Sequence, residues 1–449
     1  MIDRIRAYPM IVLLIPLVTI LLLCEKKLYF NTNFNQLDKI CNYTFVITSE
    51  PRPTDKCERY EAQVLNKKVL LYVFRDSTVV MPLIGDTVIA QTKIILPDSI
   101  GTFDYSTYLR RQGFIGTSFI YPSNAVIKPN TIPLKPSLRT RLYRRLEASG
   151  LNGDELATVG AMTLWYKEDI DKNIKHHFQN SGAAHVLAVS GLHTGIIYAI
   201  LIWLLTLGGR IKPMYENKSG RCAVSLIIIA VMWFYAWLTG MTPSVVRAVI
   251  MVTFFEVGRM FYRQSISVNS IAAAAFIILI IRPLDLWSIS FQLSFTATLS
   301  IVLLYQSIEN QIYKFIDKSK GIITHIALYF IGIIIVSIAA QIGTLPVTMY
   351  TFGRFNTYFL ITNILILPLA TLLVPCGLIS IVLGGSWIGI IIGKITWILA
   401  WLMNNITQYI DSWKYSTIDC SVNIWMVVIY YCMLCLLLVC IYHRPIHNR

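Results

Sequence analysis

The chain has 449 residues, of which 55% are hydrophobic and only 14% charged. A soluble protein carries about a quarter charged residues, so the composition excludes an ordinary globular enzyme or binding module. The formal charge of +15 suits anionic lipid heads, nucleic acid or acidic solutes, although lysine and arginine gathering in cytoplasmic loops explains much of it.

In chain order, residues 1–8 are short and basic, with Arg4 and Arg6, and residues 9–24 are apolar. No small-residue cleavage site follows, only Glu25-Lys26-Lys27, so residues 1–27 are expected to be a retained first transmembrane helix with its N-terminus inside.

Over residues 28–134 hydrophobicity drops and period-two patterns predict strands at 42–49, 60–65, 69–75, 87–94 and 114–121. A hairpin turn is expected at 64–69, and DYSTYLRRQ (104–112) predicts a short helix. Five strands and one helix fit a small β-barrel of the OB type. Leu70, Tyr72 and Phe74 share one strand face. We expect barrel core there and at Phe45, with stacking on the bases of single-stranded nucleic acid as the alternative. Cys41 and Cys57 fall in this segment, where a disulfide is allowed if it lies outside the cytoplasm. The other cysteines lie mostly in apolar helices, as small hydrophobes.

Residues 135–180 are predicted to form amphipathic interfacial helices. Lys135, Arg139, Arg141, Arg144 and Arg145 occur without an acid, while Leu138, Leu142 and Leu146 recur at helical spacing. Such a helix suits anionic lipid heads or, alternatively, nucleic-acid phosphates. Residues 152–179 are expected to continue as an amphipathic helix. Its adjacent His176 and His177 should point to two different faces, a poor metal site, and are expected to be solvated.

Spans follow near 185–207, 222–239, 244–262, 266–281, 287–305, 322–345, 357–383, 386–403 and 423–442, which with the first helix makes about ten. Arg210, Lys212, Lys218 and Arg221, then Arg259 and Arg263, then Lys314, Lys318 and Lys320, and finally Arg444 and Arg449 all fall inside if the N-terminus is inside. That count puts both termini in the cytoplasm and the β domain outside.

Four stretches within 181–449 are unusually polar or interrupted. GAAHVLAVSGLHTG (182–195) carries His185, Ser190 and His193. Ser190 and His193 are three apart and can be neighbours on a helix. A Ser-His nucleophile, a histidine metal site and a pore-lining polar helix packed closely at Gly191 and Gly195 all remain open. TGMTPSVVRAVIM (239–251) places Pro243 where a helix can begin and Arg247 in its first turn, to snorkel or to meet phosphate. RPLDLWSISFQLSFTATLS (282–300) holds Gln292, Ser294, Thr296, Thr298 and Ser300. In residues 341–370, Pro346 and Pro368 are expected to interrupt helices around Gly353 and Asn363.

AHVLAVSGLHTG, GMTPSVVRAVIM, DLWSISFQLSF and the TLPV…F…N…LP run occur in this order in the ComEC-type competence proteins, which the chain resembles over roughly residues 30–400. The resemblance implies an inner-membrane channel, multi-pass, that passes one strand of transforming DNA to the cytoplasm. No cofactor, metal or enzymatic activity is expected of this chain. The family's characteristic positions map to His185, Ser190, Gly191 and His193, to Pro243 and Arg247, to Gln292 and Ser294, and to Asn363 and Pro368. Many members carry a further metallo-β-lactamase-like domain, and no H-x-H-x-D-H run occurs here, so a separate nuclease is expected. Likewise no G-x-x-x-x-G-K-[ST] run is present, so a motor protein is expected as a partner. A separate DNA receptor, membrane lipid, single-stranded DNA and further copies of the chain complete the expected partners. An intramembrane hydrolase or small-solute transporter using Ser190 and His193 is the alternative function.

Overall fold

The structure, a computed structural model, describes residues 9–30, 38–49, 51–54, 56–75, 81–96, 105–129, 138–167, 169–187, 191–206, 217–261, 267–312, 322–420 and 422–443. The chain divides into two compact units, one of helices and one built on a sheet. The helical unit takes Met1–Ile15, Leu138–Ile278 and Ile289–Arg449 and the sheet unit Pro16–Ser137 and Leu279–Ser288, so one of the divisions falls inside the first helix, α1 (Pro9–Phe30).

The sheet unit contains the strands β1 (Cys41–Ile47), β2 (Arg52–Pro53), β3 (Cys57–Val64), β4 (Lys67–Phe74), β5 (Thr87–Thr92), β6 (Ile94–Ile95), β7 (Phe114–Ile120) and β8 (Ala125–Lys128), and burial alternates residue by residue along β1 and β5. Their order is β6-β7-β4-β3-β1-β5-β8, with β2 pairing β3. All pairs are antiparallel except β4 with β7. The β3–β4 hairpin turns at Leu65 and Asn66, whose φ values of 47° and 62° are the positive pair that a tight two-residue turn requires. Because β5 and β6 are two halves of one extended run on different sides of the sheet, the sheet curls into a half-barrel. The Thr92 hydroxyl spans the gap, lying 3.0 Å from the Ser118 hydroxyl and donating to the Phe119 carbonyl at 3.0 Å. Inside sit Tyr43, Phe45, Ile47, Tyr60, Val69, Leu71, Val73 and Ile115, among others. Helix α2 (Tyr105–Arg111) covers one outer patch, burying Leu70, Leu109 and Phe114 together.

Two expectations for this unit are corrected. Phe45 is core, but on β4 the core residues are Val69, Leu71 and Val73, so Tyr72 and Phe74 stand on the opposite, outer face. Cys41 and Cys57 are both free. β1 and β3 run antiparallel in the register Val46↔Gln63, which sends the two residues to opposite ends of the pair.

The helical unit contains α3 (Leu138–Ala148), α4 (Gly153–Leu164), α5 (Lys172–Asn180), α6 (Ala184–Leu187), α7 (Gly191–Thr206), α8 (Lys218–Leu238), α9 (Pro243–Met260), α10 (Ser267–Ile281), α11 (Ile289–Ile312), α12 (Ile322–Phe352), α13 (Phe359–Leu383), α14 (Trp387–Asp411) and α15 (Ile424–His443). A two-stranded sheet pairs β9 (Arg354–Asn356) with β10 (Thr417–Asp419). Four described helices are long and apolar enough to cross a membrane: Lys218–Leu238, Thr324–Phe352, Phe359–Leu383 and Trp387–Asp411. Met10–Leu23, Gly191–Thr206, Val268–Ile281, Ile289–Tyr305 and Ile424–Leu438 are apolar but shorter. The segment expected to span at 244–262 carries Arg247, Glu256 and Arg259 within α9. The basic loops behind the orientation argument fall largely at 207–216, 262–266 and 313–321, outside the described residues.

α4 is the hub of this unit, and here the expectation of one amphipathic surface helix over 152–179 gives way. The helix ends at Trp165, which adopts φ 58° and ψ 30°, and α5 begins afresh at Lys172. Every residue of α4 from Leu156 to Leu164 is buried, the pattern of a helix covered on all sides. Its small residues make room for neighbours: a Cβ on Gly160 would strike the Tyr143 ring of α3, and one on Gly377 of α13 would strike Thr163.

Candidate functional site

Polar groups in an apolar bundle are costly unless bonded, so their partners decide what they can do. Glu256 on α9 is fully buried. Its carboxylate accepts from the Tyr198 hydroxyl of α7 at 2.6 Å, the Ser225 hydroxyl of α8 at 2.6 Å and the Arg259 guanidinium at 3.2 Å. One acid thus joins three helices. The indole of Trp233 adds a second α8–α9 link, donating to Thr253 at 3.2 Å.

Arg247 is 2% exposed and donates to the Ser290 hydroxyl of α11 at 3.0 Å. Thr242 is the N-cap of α9 and Pro243 its first residue, so Arg247 lies in the second turn. It neither snorkels nor faces solvent, because it is folded inward against α11. His193 and Thr194 are fully buried on α7, whereas His185 is exposed on α6 and donates to the Gly182 carbonyl at 3.2 Å. Ser190, the other member of the expected pair, lies outside the described residues. A Cβ at Gly191 or Gly195 would meet nothing within 4 Å, so close packing at those glycines is not observed among the described residues.

Along α11, Thr296 donates to the Gln292 carbonyl at 2.7 Å and Thr298 to the Ser294 carbonyl at 2.8 Å. These hydroxyls are spent on their own helix, which lets them sit in an apolar setting. Gln292 and Ser294 themselves are partly buried. Close packing falls instead at Gly343 of α12, where a Cβ would strike Ser300 and the Thr296 carbonyl.

The prolines do not break their helices: α12 continues past Pro346 and α13 past Pro368 and Pro375. A proline in a helix frees the carbonyl four residues back, here Ile342. The Tyr430 hydroxyl of α15 donates to that carbonyl at 3.0 Å, and Tyr431 donates to Gly343 at 2.8 Å. The chain breaks instead at Gly353, with φ 64°, where β9 leads into α13. Asn363 on α13 is 7% exposed; its amide donates to Ser337 of α12 at 3.2 Å, while its carbonyl oxygen has no partner among the described residues.

On α3, Tyr143 and Leu146 face the core, and Arg141, Arg144 and Arg145 are exposed. Arg145 donates to the Val382 carbonyl near the end of α13 at 2.8 Å, a favourable place for a cation. Arg139 lies against Gly240, whose φ of 77° leaves the face that a Cβ would fill to the guanidinium. The basic helix is thus docked on the bundle through its apolar face. On α15, Cys432 and Cys435 stand at C-x-x-C spacing and are exposed on an apolar helix.

The sheet unit offers a different surface. On the outer face of β4 and β7, Tyr72 stacks on Phe119 with centroids 5.0 Å apart and planes at 18°, and Phe74 stacks on Tyr121 at 4.3 Å and 5°. Phe74 and Phe119 join the pairs at 6.5 Å. Phe119 is 44% and Tyr121 56% exposed. Arg59 sits directly across from Tyr72 on β3. Tyr105 of α2 flanks the row; burial, with its hydrogen bond to Tyr72, pushes its phenol up to about 12, so it stays a neutral ring. Sequence spacing found Tyr72 and Phe74; β7, brought alongside in parallel, adds Phe119 and Tyr121.

The model of the family described as Competence protein matches residues 162–444. ComE operon protein 3 of Bacillus subtilis (strain 168) is 27% identical over 316 residues, covering 69% of this chain and 38% of that protein. An uncharacterised protein of Aquifex aeolicus (strain VF5) is 26% identical over 180 residues, 40% of each chain. The uncharacterised protein YcaI of Escherichia coli (strain K12) is 24% identical over 253 residues, 55% of this chain and 31% of that one. The chain therefore spans well under half the length of each of these relatives. No solved structure matches it.

Proposed function

The chain belongs to the competence protein family, and from that membership we propose that it serves DNA uptake as an inner-membrane channel passing single-stranded DNA to the cytoplasm. The half-barrel is then an OB-like domain outside the cytoplasm, the helices form about ten spans, and both termini lie inside. The channel is a conduit and not an enzyme. A motor, a nuclease and a DNA receptor act alongside it, and the channel works alone or as a homo-oligomer in lipid.

The observation that carries this proposal is the outer-face row Tyr72, Phe119, Phe74 and Tyr121 beside Arg59, in which Phe119 and Tyr121 are exposed and Tyr72 and Phe74 half-buried. A π-face fits every base, so a row of rings with a flanking cation holds single strands regardless of sequence, and a duplex hides those faces. The helices support the proposal in a second way. Their buried charges are engaged locally, Glu256 with Tyr198, Ser225 and Arg259, and Arg247 with Ser290. Among the described residues of the long apolar helices few cations are left to trap a polyanion, the exposed Lys394 among them, and conduction needs binding weak enough to release.

Purified full-length protein in detergent should bind single-stranded DNA in preference to duplex. Tyr72→Ala and Phe119→Ala should each weaken binding by about 5- to 150-fold, the equivalent of about 1–3 kcal/mol for a lost stacked base. Unchanged affinity in both variants would remove this surface from the account.

A further inference from the structure

Beyond DNA handling, and resting on no reading of it, we propose that His176, His177 and Asp411 form a binding site for a divalent transition metal of the zinc type. The sequence separates Asp411 from the two histidines by more than 230 positions, and the fold closes the gap. The end of α5 is captured by the start of α13: the Asn356 amide donates to the Gln179 and Asn180 carbonyls at 2.6 and 2.8 Å, and Thr362 donates to the Ser181 carbonyl at 2.7 Å. The chain can turn there because Gly182 takes φ 88° with Phe359 and Asn356 against it. α5 is thereby laid along the last turns of α14, where Asp411 is the final residue.

Adjacent residues point about 100° apart around a helix, so a histidine pair alone cannot share an ion easily. A carboxylate placed between the two directions removes that objection. His177 Nδ1 lies 2.7 Å from Asp411 Oδ2, and His176 Nδ1 lies 3.5 Å from the same oxygen. The three ligand atoms all fall within 4.8 Å of one another. Bonds of about 2.0–2.1 Å in a tetrahedron put ligand atoms about 3.3 Å apart, so an ion would open the His177–Asp411 contact by about half an ångström and draw in any pair lying nearer the 4.8 Å limit. Two imidazoles and one carboxylate suit zinc and its neighbours rather than magnesium or calcium, which take oxygen ligands.

The surroundings favour a cation with an open coordination position. A cavity of about 490 Å³ adjoins His177 and is lined also by Asp154, Glu155, Asp171, Asn405 and Gln408. Three carboxylates on its wall raise the local concentration of cations. Its volume leaves room for water or an exchangeable ligand in the fourth position of the three-ligand set.

The test is Zn²⁺ titration of the full chain in detergent against a competing chelator, with Mg²⁺ in parallel and X-ray absorption on the zinc-loaded protein. One Zn²⁺ per chain should bind far more tightly than Mg²⁺, in an N/O environment with two imidazoles. His176→Gln and Asp411→Asn should each lower the affinity by at least about tenfold. His176 is exposed and Asn can keep a hydrogen bond to His177, so both variants should fold, and thermal unfolding of the apo proteins checks this. Sulfur-dominated coordination from the nine cysteines, tighter Mg²⁺ binding, or affinity unchanged in both variants would overturn the site and leave the trio as a hydrogen-bonded clasp.

Discussion

At the scale of the residue, Glu256 shows how one buried acid is made tolerable. Its three donors come from α7, α8 and its own helix, and each would lose its acceptor together with the others. Removing one partner of a buried charged pair costs about 3–5 kcal/mol. Glu256→Leu should therefore lower thermal stability in detergent by about that much, and Glu256→Gln by less, because its amide oxygen still accepts from a hydroxyl. Equal stability of Glu256→Leu and the wild type would show that the three bonds tie nothing together. The sequence marks Glu256 as an acid in an apolar helix, but its partners are scattered between positions 198 and 259. Arg247 was legible as unusual for the same reason. Its inward course was not, because snorkelling and burial place the same residue at the same helical position and differ only in what α11 offers opposite it, here Ser290. His176 is exposed as expected, whereas the contact of His177 with Asp411 at 2.7 Å was not legible, because neighbour geometry along one helix says nothing about an acid arriving from another.

At the scale of the element, periodicity carried much of the half-barrel. The five strands expected from alternation correspond to β1, β3, β4, β5–β6 and β7, with ends shifted by a few residues, and the hairpin at Leu65-Asn66 formed where expected. Short β2 and β8 escaped because two to four residues cannot establish an alternation. The inner and outer faces of β4 were assigned the wrong way round, since KKVLLYVF is apolar on both faces and α2 covers Leu70 from outside. Proline was over-read in the helices. Breakage at Pro346 follows only if the freed carbonyls stay unpaired, and the Tyr430 and Tyr431 hydroxyls of α15 pair with Ile342 and Gly343. Tyr431→Phe should therefore loosen the hold of α15 on α12, lowering stability by about 1 kcal/mol. Gly343→Leu should do more, about 1–3 kcal/mol, by driving a side chain into Ser300. Thermal unfolding with protease mapping of α15 would check both. A Gly343→Leu protein as stable as the wild type would contradict the close α11–α12 contact.

At the scale of the whole molecule, composition and span-length runs sufficed for a membrane protein, and four ordered motifs sufficed for its family, which the match over residues 162–444 bears out. Those motifs mark positions that are spread through the bundle: His193 and Arg247 buried, His185 exposed, Asn363 set against α12. Family membership was thus legible from order along the chain, while the roles of the marked residues were not, because order does not reveal which polar groups satisfy one another. The central proposal, passage of single-stranded DNA, is tested most directly in cells that lack this chain and are fed labelled transforming DNA. The account predicts that label reaches the cell surface but not the cytoplasm, and that wild-type protein restores entry while Tyr72→Ala/Phe119→Ala restores it only weakly. Normal arrival of label in the cytoplasm without the chain would contradict it.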